Sequence, residues 1–431
     1  MKNYAETIQY LYDLQYSGIK LGLDNISRLL DFWNNPQDKW KAIHIAGTNG
    51  KGSTAAFIYS ALREAGYRVG LYTSPHLIDF TERIRVNGQS ISWQTVVDYT
   101  DELKPVIETV RPTFFEATSA IAFSYFAEQE VDIAVIETGL GGRLDATNVV
   151  NPLISVITPV SLDHTQYLGE TLEQVAREKA GIVKTGIPCV TNNEHPEAVH
   201  VLKEKCQEVQ APFYLLNRNR TIQPLETTLR GSTFNFSLDG MGTLGELSIP
   251  LSGAHQVSNA ALAAASLLLL PEISISVETI RTGFARTRWH GRLEIVEENP
   301  LTILDVAHNP DGFRQVFHFL EQQVPEKRIW VLAGLAKDKD YQTIAGILST
   351  HAFKIGLIRQ FSQRGLPAGI LRKALAVRGV EAIEFESIEK GVCNFHHLME
   401  SNDLMLIIGS HFLAEKFYKN YKNVDLIRMI E

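Results

Sequence analysis

The sequence predicts two consecutive α/β domains, the first with a mostly parallel sheet and added antiparallel hairpins, the second smaller and Rossmann-like. Three observations predict this. The chain has 431 residues, more than one hydrophobic core usually supports. Short apolar strands alternate with helical stretches, the pattern of a parallel sheet covered by helices. A fresh alternation then begins after Trp289-His290-Gly291-Arg292, which places the domains at residues 1–292 and 293–431.

In the opening segment Ile8, Leu11, Leu14, Ile26, Leu29 and Leu30 recur at mixed helical spacings. This predicts short helices and a connecting loop at residues 17–23, a candidate substrate contact. From Ala42 an apolar strand with Ile43 and Ile45 leads into a glycine-rich loop, a helix to about Gly66 and a second strand at 69–72. Further strands are expected at 131–136, 153–158 and 187–191. Between 227 and 251 the residues alternate, and Gly231, Gly240, Gly242 and Gly245 punctuate them, which predicts hairpins. Two helices close the first domain. Strands at 302–304, 329–332, 354–358 and 404–408, each followed by helical sequence, build the second sheet.

The composition narrows the partners. A hydrophobic fraction of 45% and a charged fraction of 21% are those of an ordinary globular chain, not a disordered one. Lys and Arg total 41 against 49 Asp and Glu, a net charge of -8, which argues against a broad nucleic-acid surface and for small-molecule partners. Cys189, Cys206 and Cys393 are scattered without metal or disulfide spacing, which fits a reducing cytoplasm. The start lacks the pattern of a signal peptide. The longest apolar run, residues 260–270, is far shorter than the ~20 residues of a membrane helix, so no membrane span is expected. The expected state is a monomer.

The chemistry begins at Gly47-Thr48-Asn49-Gly50-Lys51-Gly52-Ser53, between a strand and a helix. Glycines let successive backbone N–H groups face one concavity, and the helix adds its positive end, so the loop predicts a P-loop ATPase domain that grips a triphosphate. Lys51 would compensate phosphate charge and the Ser53 hydroxyl would face Mg2+. The loop is shorter than the standard pattern, and Gly52 intervenes between Lys51 and Ser53. Such a loop needs a carboxylate at the end of a neighbouring strand. Glu137 stands there, as a metal ligand or a solvated strand-end acid. His164 ends the next strand and loop, as a ligand or a structural histidine. Strands of such sheets end at one edge, where Ser74, Glu137 and His164 would converge. Arg83 and Arg85 would meet substrate carboxylates or mark a solvated strand edge.

Four segments occur in order: the loop at 47–53, Tyr72-Thr73-Ser74-Pro75-His76-Leu77, the stretch from Glu137 through Gly141-Gly142-Arg143-Leu144-Asp145-Ala146 to Asn148, and Asp305-Val306-Ala307-His308-Asn309-Pro310. Together they resemble the folylpolyglutamate synthase/dihydrofolate synthase family of the Mur ligase superfamily, across essentially the whole chain. The resemblance implies that Gly50, Lys51, Gly52, Ser53, Asn259, Arg292 and Asp305 bind ATP. Ser74, Glu137 and His164 would hold Mg2+, with K+ as a further candidate cation. Lys51, His164 and Lys179 would serve catalysis, Lys179 as a carbamate, whose negative charge suits a site between cations. Without the resemblance, Lys179 reads as a solvated helix residue, Arg292 as a surface residue and Asp305 as a strand-end cap.

By the same resemblance Thr113, Phe114, Phe115, Glu116, Leu144, Asp145 and Ala146 contact the pterin-containing substrate, and His308 and Ser410 receive L-glutamate. Aromatic faces stack on a flat heterocycle and carboxylates accept from its N–H groups, although Phe114 and Phe115 equally suit a core. The implied reaction passes a γ-phosphoryl group to a substrate carboxylate, and the glutamate amine then displaces phosphate. The acceptors would be tetrahydrofolates and dihydropteroate. A peptidoglycan-precursor Mur ligase is the rival, but only 46 residues precede Gly47, little room for its UDP-binding domain. A nucleotide switch without ligase activity is another.

Overall fold

The computed structural model describes residues 3–14, 22–238, 240, 242–359 and 361–421. Residues 17–21 of the loop expected to contact substrate lie outside the described residues.

The first sheet contains β1 (Lys41–Ala46), β2 (Val69–Tyr72), β3 (Ile84–Val86), β4 (Gln89–Ser90), β5 (Ile133–Glu137), β6 (Pro152–Ile157), β7 (Cys189–Thr191) and β8 (Phe213–Leu215). Their order is β4-β3-β2-β5-β1-β6-β7-β8, parallel from β2 to β8, with β3 and β4 antiparallel at one edge. β1 is buried except at Lys41, and β5 throughout, as central strands covered on both faces must be.

One face packs on the helix Lys51–Glu64, whose residues from Gly52 to Tyr59 are all buried. Its near-continuous apolar surface is explained by a second cover of Phe234, Phe236 and the alanine-rich helix Ala254–Leu268. The other face carries the helices Trp93–Val110 and Phe114–Glu128 around Tyr72, Ile84 and Phe123. A three-stranded antiparallel sheet, β9 (Ile222–Thr228), β10 (Gly231–Leu238) and β11 (Gly242–Ile249), supplies the outer cover.

The second domain has β12 (Glu294–Glu298), β13 (Leu301–Asp305), β14 (Arg328–Ala333), β15 (Lys354–Ile358), β16 (Ala382–Phe385) and β17 (Asp403–Ile408), ordered β12-β13-β17-β14-β15-β16. Only β12 runs antiparallel to its neighbour. The strands absent from the sequence reading, β3, β4, β8, β12 and β16, are at or beside sheet edges. Partly exposed there, β4, β8, β12 and β16 lack the unbroken apolar run that burial on both faces writes.

Register positions the site. Ile45 pairs with Glu137, and Ala46 with Ile157, so β1, β5 and β6 end at one edge. There the Thr48 amide donates to the Pro159 carbonyl at 2.9 Å and the Thr138 amide to that of Ile45 at 2.9 Å. β1 lies between the later strands β5 and β6, a reversal of strand order at which ligands bind.

Candidate active site at the interdomain cleft

A cleft of about 190 Å3 opens at that edge and is closed from the other side by the second domain. Residues 47–53, Ser74, Glu137, His164, Lys179, Asn259, Arg292, Asp305 and His308 all line it. Chain segments more than 250 residues apart thus meet at the glycine-rich loop. Asn49 Nδ2 donates to Asp311 Oδ2 at 3.0 Å, and Asn309 Nδ2 donates to Asn49 Oδ1 at 2.9 Å. Asn309 also caps the helix Pro310–Gln323 by accepting from the Gly312 amide, so one side chain shapes the second-domain loop and joins it to the first domain.

The loop geometry depends on glycine, as two positions illustrate. Gly50 has φ +90°, and a Cβ there would lie 2.3 Å from Asn259 Oδ1. At Gly52 a Cβ would meet the Trp289 ring at 2.9 Å. Asn259 is held in turn by donating Nδ2 to Gln256 Oε1 at 3.1 Å. Lys51 Nζ curls back to the Gly47 and Thr48 carbonyls at 3.2 and 3.3 Å and lies 4.0 Å from Glu137 Oε1.

Glu137 ends β5 fully within the protein. Burial pushes its carboxyl up, while Lys51 and the Ser74 amide, which donates to Oε2 at 3.2 Å, pull it down. The Ser53 hydroxyl is buried without a hydrogen-bond partner. Ser53 Oγ and the Glu137 carboxylate are hard oxygens at one cleft and fit Mg2+, which keeps waters and phosphate oxygens as its other ligands. Among the described residues no group of three or more His, Cys, Asp or Glu side chains could hold a metal alone, and Ser74, Glu137 and His164 line the same cleft.

His164 also faces the second domain. Its backbone is left-handed at φ +49°, and its Nδ1 and Nε2 lie 3.5 Å from Asp338 Oδ2 and 3.4 Å from Lys339 Nζ. Burial first, and then Lys339, lower its pKa to about 4 against the pull of Asp163 and Asp338. Asp163 accepts from Lys339 Nζ at 2.8 Å and lies 3.7 Å from His308 Nε2. Burial opposes its charge, yet His308, His164 and Lys339 hold it well below the usual carboxylate range. Asp163, Asp338, Lys339 and the cleft-lining His411 were missed in the sequence. The available signal was the charged run Lys337-Asp338-Lys339-Asp340 just past the carboxyl end of β14.

Lys179 is buried on the helix Leu172–Ala180 and donates Nζ to the Gly47 carbonyl at 2.7 Å. Burial, reinforced by Lys51, lowers its pKa to about 7. Asp305 accepts from the Leu293 and Ala307 amides at 2.8 and 2.7 Å. It thereby ties the interdomain segment to β13 beside Arg292. Ser410 caps the helix His411–Lys416 by accepting from the Phe412 amide at 3.1 Å. It does not line the cleft, but its neighbour His411 does.

The residues expected to contact a heterocycle lie beside the cleft rather than on its wall. Phe114 is buried, stacked on Tyr12 at 5.1 Å with the Arg83 guanidinium 5.2 Å from its centroid. Phe115 is only half-buried and approaches Gly139 so closely that a Cβ there would lie 2.5 Å from its ring. Thr113 and Glu116 form a capping box, and Glu116 also accepts from Asn25. Both Asp145 oxygens are occupied, one by the Gly139 and Leu140 amides and the other by Thr147. Asp145 therefore shapes the loop that carries half-buried Leu144 and buried Ala146.

Residues 45–267 match the Mur ligase middle domain, and residues 291–411 match the Mur ligase glutamate ligase domain. The chain is 38% identical over 440 residues to the dihydrofolate synthase/folylpolyglutamate synthase of Bacillus subtilis, covering 97% of this chain and 99% of that protein. It is similar in structure to Mycobacterium tuberculosis folylpolyglutamate synthase complexed with ADP and AMPPCP. The TM-score is 0.88 at 29% identity, over 97% and 98% of the two chains. Escherichia coli FolC in complex with DHPP and ADP matches with a TM-score of 0.87 at 30% identity, over 98% of each chain.

Proposed function

We infer the chemistry of the cleft from one premise: the chain belongs to the folylpolyglutamate synthase/dihydrofolate synthase family of Mur ligases, and its reaction is the ATP-dependent addition of L-glutamate to folates. The observation that carries this reading to individual residues is the meeting of the glycine-rich loop with the Asp305-to-Pro310 segment, through Asn49, Asn309 and Asp311. Nucleotide and amino acid are brought together only if those two segments share one cleft. We place the domain boundary between residues 292 and 293, beside Arg292 on the cleft wall.

The acceptor carboxylate oxygen attacks the γ-phosphorus of ATP, the bond to the β-phosphate oxygen breaks, and ADP leaves with an acyl phosphate formed. The glutamate amine then attacks the acyl carbon, the carbon–oxygen bond to phosphate breaks, and the amine loses a proton. Loop amides and Lys51 stabilise charge on the transferring group, and Asn259, Arg292 and Asp305 hold the nucleotide. Mg2+ would be held by Ser53 and Glu137, with Ser74 orienting Glu137 and His164 at the rim, and would neutralise phosphate charge. Lys179 has much of its amine uncharged near neutral pH, the form that reacts with carbon dioxide, which supports a carbamate there. Phe115, beside Gly139, offers the acceptor ring a face, and His308 and Ser410 serve the amino acid. Both tetrahydrofolates and dihydropteroate are proposed as acceptors. Closure of the second domain keeps water from the acyl phosphate.

The test is phosphate release that requires ATP, L-glutamate and a pteridine acceptor together. Lys51→Ala is expected to abolish it while the protein stays folded by circular dichroism. Normal turnover in that variant, or release indifferent to glutamate and acceptor, would refute the reading.

A further inference from the structure

A narrower crevice adjoins the main cleft, sharing Ser74, Glu137 and Arg292 with it and adding Arg85, Arg288 and His290. On β3, Ile84 and Val86 pack into the core, so strand alternation turns Arg85 to the opposite face, toward the crevice. Its Nε donates to the Glu82 carbonyl at 3.2 Å, and Arg292 Nη1 donates to the Gly291 carbonyl at 3.1 Å. Among the described residues no carboxylate lies within 4.0 Å of the Arg85, Arg288 or Arg292 nitrogens. The Glu82 carboxylate is committed elsewhere, accepting from the Leu77, Ile78 and Asp79 amides at 2.9, 2.8 and 2.7 Å. His290 is paired with Glu294 at 2.9 Å.

Arg85 is half-buried, and the Glu82 carboxylate acts on it only from beyond ion-pair distance, so a bound anion would complete its charge. Arg292 faces the nucleotide, which leaves Arg85 and Arg288. Arg288 is exposed at the mouth and Arg85 half-buried within, so the crevice leads from solvent to the reacting centre. Resting on the ligase reading above, we propose that Arg85 and Arg288 form a subsite for the α-carboxylate of a folate acceptor's terminal glutamyl residue.

Such an acceptor ends in two carboxylates, and only the γ-carboxylate is to meet the phosphoryl group at Lys51 and Glu137. Two guanidinium forks in a side crevice hold the α-carboxylate away from that centre. Arg85 and Arg288 belong to the first domain, whereas the residues assigned to the incoming amino acid, His308 and Ser410, belong to the second. Dihydropteroate ends in a single benzoate and has no group for this subsite, which therefore serves chain elongation.

The experiment compares kcat/KM for tetrahydrofolate monoglutamate and for its α-carboxamide analogue in the wild type, Arg288→Ala and Arg85→Gln. The wild type should prefer the carboxylate by about tenfold or more, the size of one charge-assisted hydrogen bond. In both variants the preference should fall to about twofold. Arg288 is exposed, so its variant retains the core, and circular dichroism melts check Arg85→Gln. An unchanged preference in both variants overturns the proposal. So does loss of discrimination between L-glutamate and isoglutamine instead, which would give the crevice to the incoming amino acid. A wild type that turns over neither acceptor would overturn the ligase reading itself, a result distinguishable from both.

Discussion

Gly50→Ala tests whether the loop is built as described, because the structure specifies two separate costs for one methyl group. The first is conformational: at φ +90° an L-residue is strained by about 1–2 kcal/mol. The second is steric. The new Cβ would lie 2.3 Å from Asn259 Oδ1, about 1 Å inside the 3.4 Å of ordinary contact. Asn259 is buried on the helix Ala254–Leu268 and bonded to Gln256, so relief requires main-chain movement, worth about 1–3 kcal/mol of overpacking. The sum, about 2–5 kcal/mol, should lower the melting temperature by roughly 5–15 °C in a domain of this size. Scanning calorimetry on the nucleotide-free protein reads it directly, since Asn259 is also a candidate nucleotide contact. Gly50→Ala combined with Asn259→Ala should recover the steric part relative to the sum of the single variants and leave the conformational part. A Gly50→Ala protein that melts with the wild type, or a double variant showing no coupling, would refute the reasoning.

The remaining predictions concern Lys179 and the two adjacent phenylalanines. The Lys179 pKa is lowered from its ordinary value of 10.5 to about 7 in the folded protein, so between those values the unfolded chain binds one proton that the folded chain does not. Stability should therefore rise with pH across that window. In carbon dioxide-free buffer, the wild-type melting temperature measured against Lys179→Met should climb between pH 7 and pH 10; a flat difference would contradict the burial. Phe114→Ala should destabilise the fold by about 3–5 kcal/mol as a lost core aromatic. Phe115→Ala should change the melt little and raise the acceptor KM severalfold. Reversed effects in urea melts and steady-state kinetics would exchange the roles of the two rings.

The glycine-rich loop and the strand ends at Glu137 and Asp305 were legible because each is a local event: a turn needing glycine, or an apolar run ended by a charge. The long central strands were legible for the same reason, since burial on both faces writes an unbroken apolar run. Phe114 and Phe115 were not separable. Two neighbours on a helix share every sequence signal, and only packing against Tyr12 and Arg83 makes one of them core. Asp145 reads as a ligand carboxylate until its four hydrogen bonds to residues 139, 140 and 147 are seen.

By itself the sequence determined the alternation of the central strands with helices, the phosphate-gripping loop and the family whose chemistry the chain performs, all written in contiguous residues. The tertiary structure alone decided which distant groups meet. His164 faces Asp338 and Lys339 across the cleft, Asn49 bonds Asn309 and Asp311, and Arg85 turns into a crevice without a carboxylate partner. The physical reason is that such contacts depend on sheet register and on how two domains meet, and neither leaves a local trace in the order of residues.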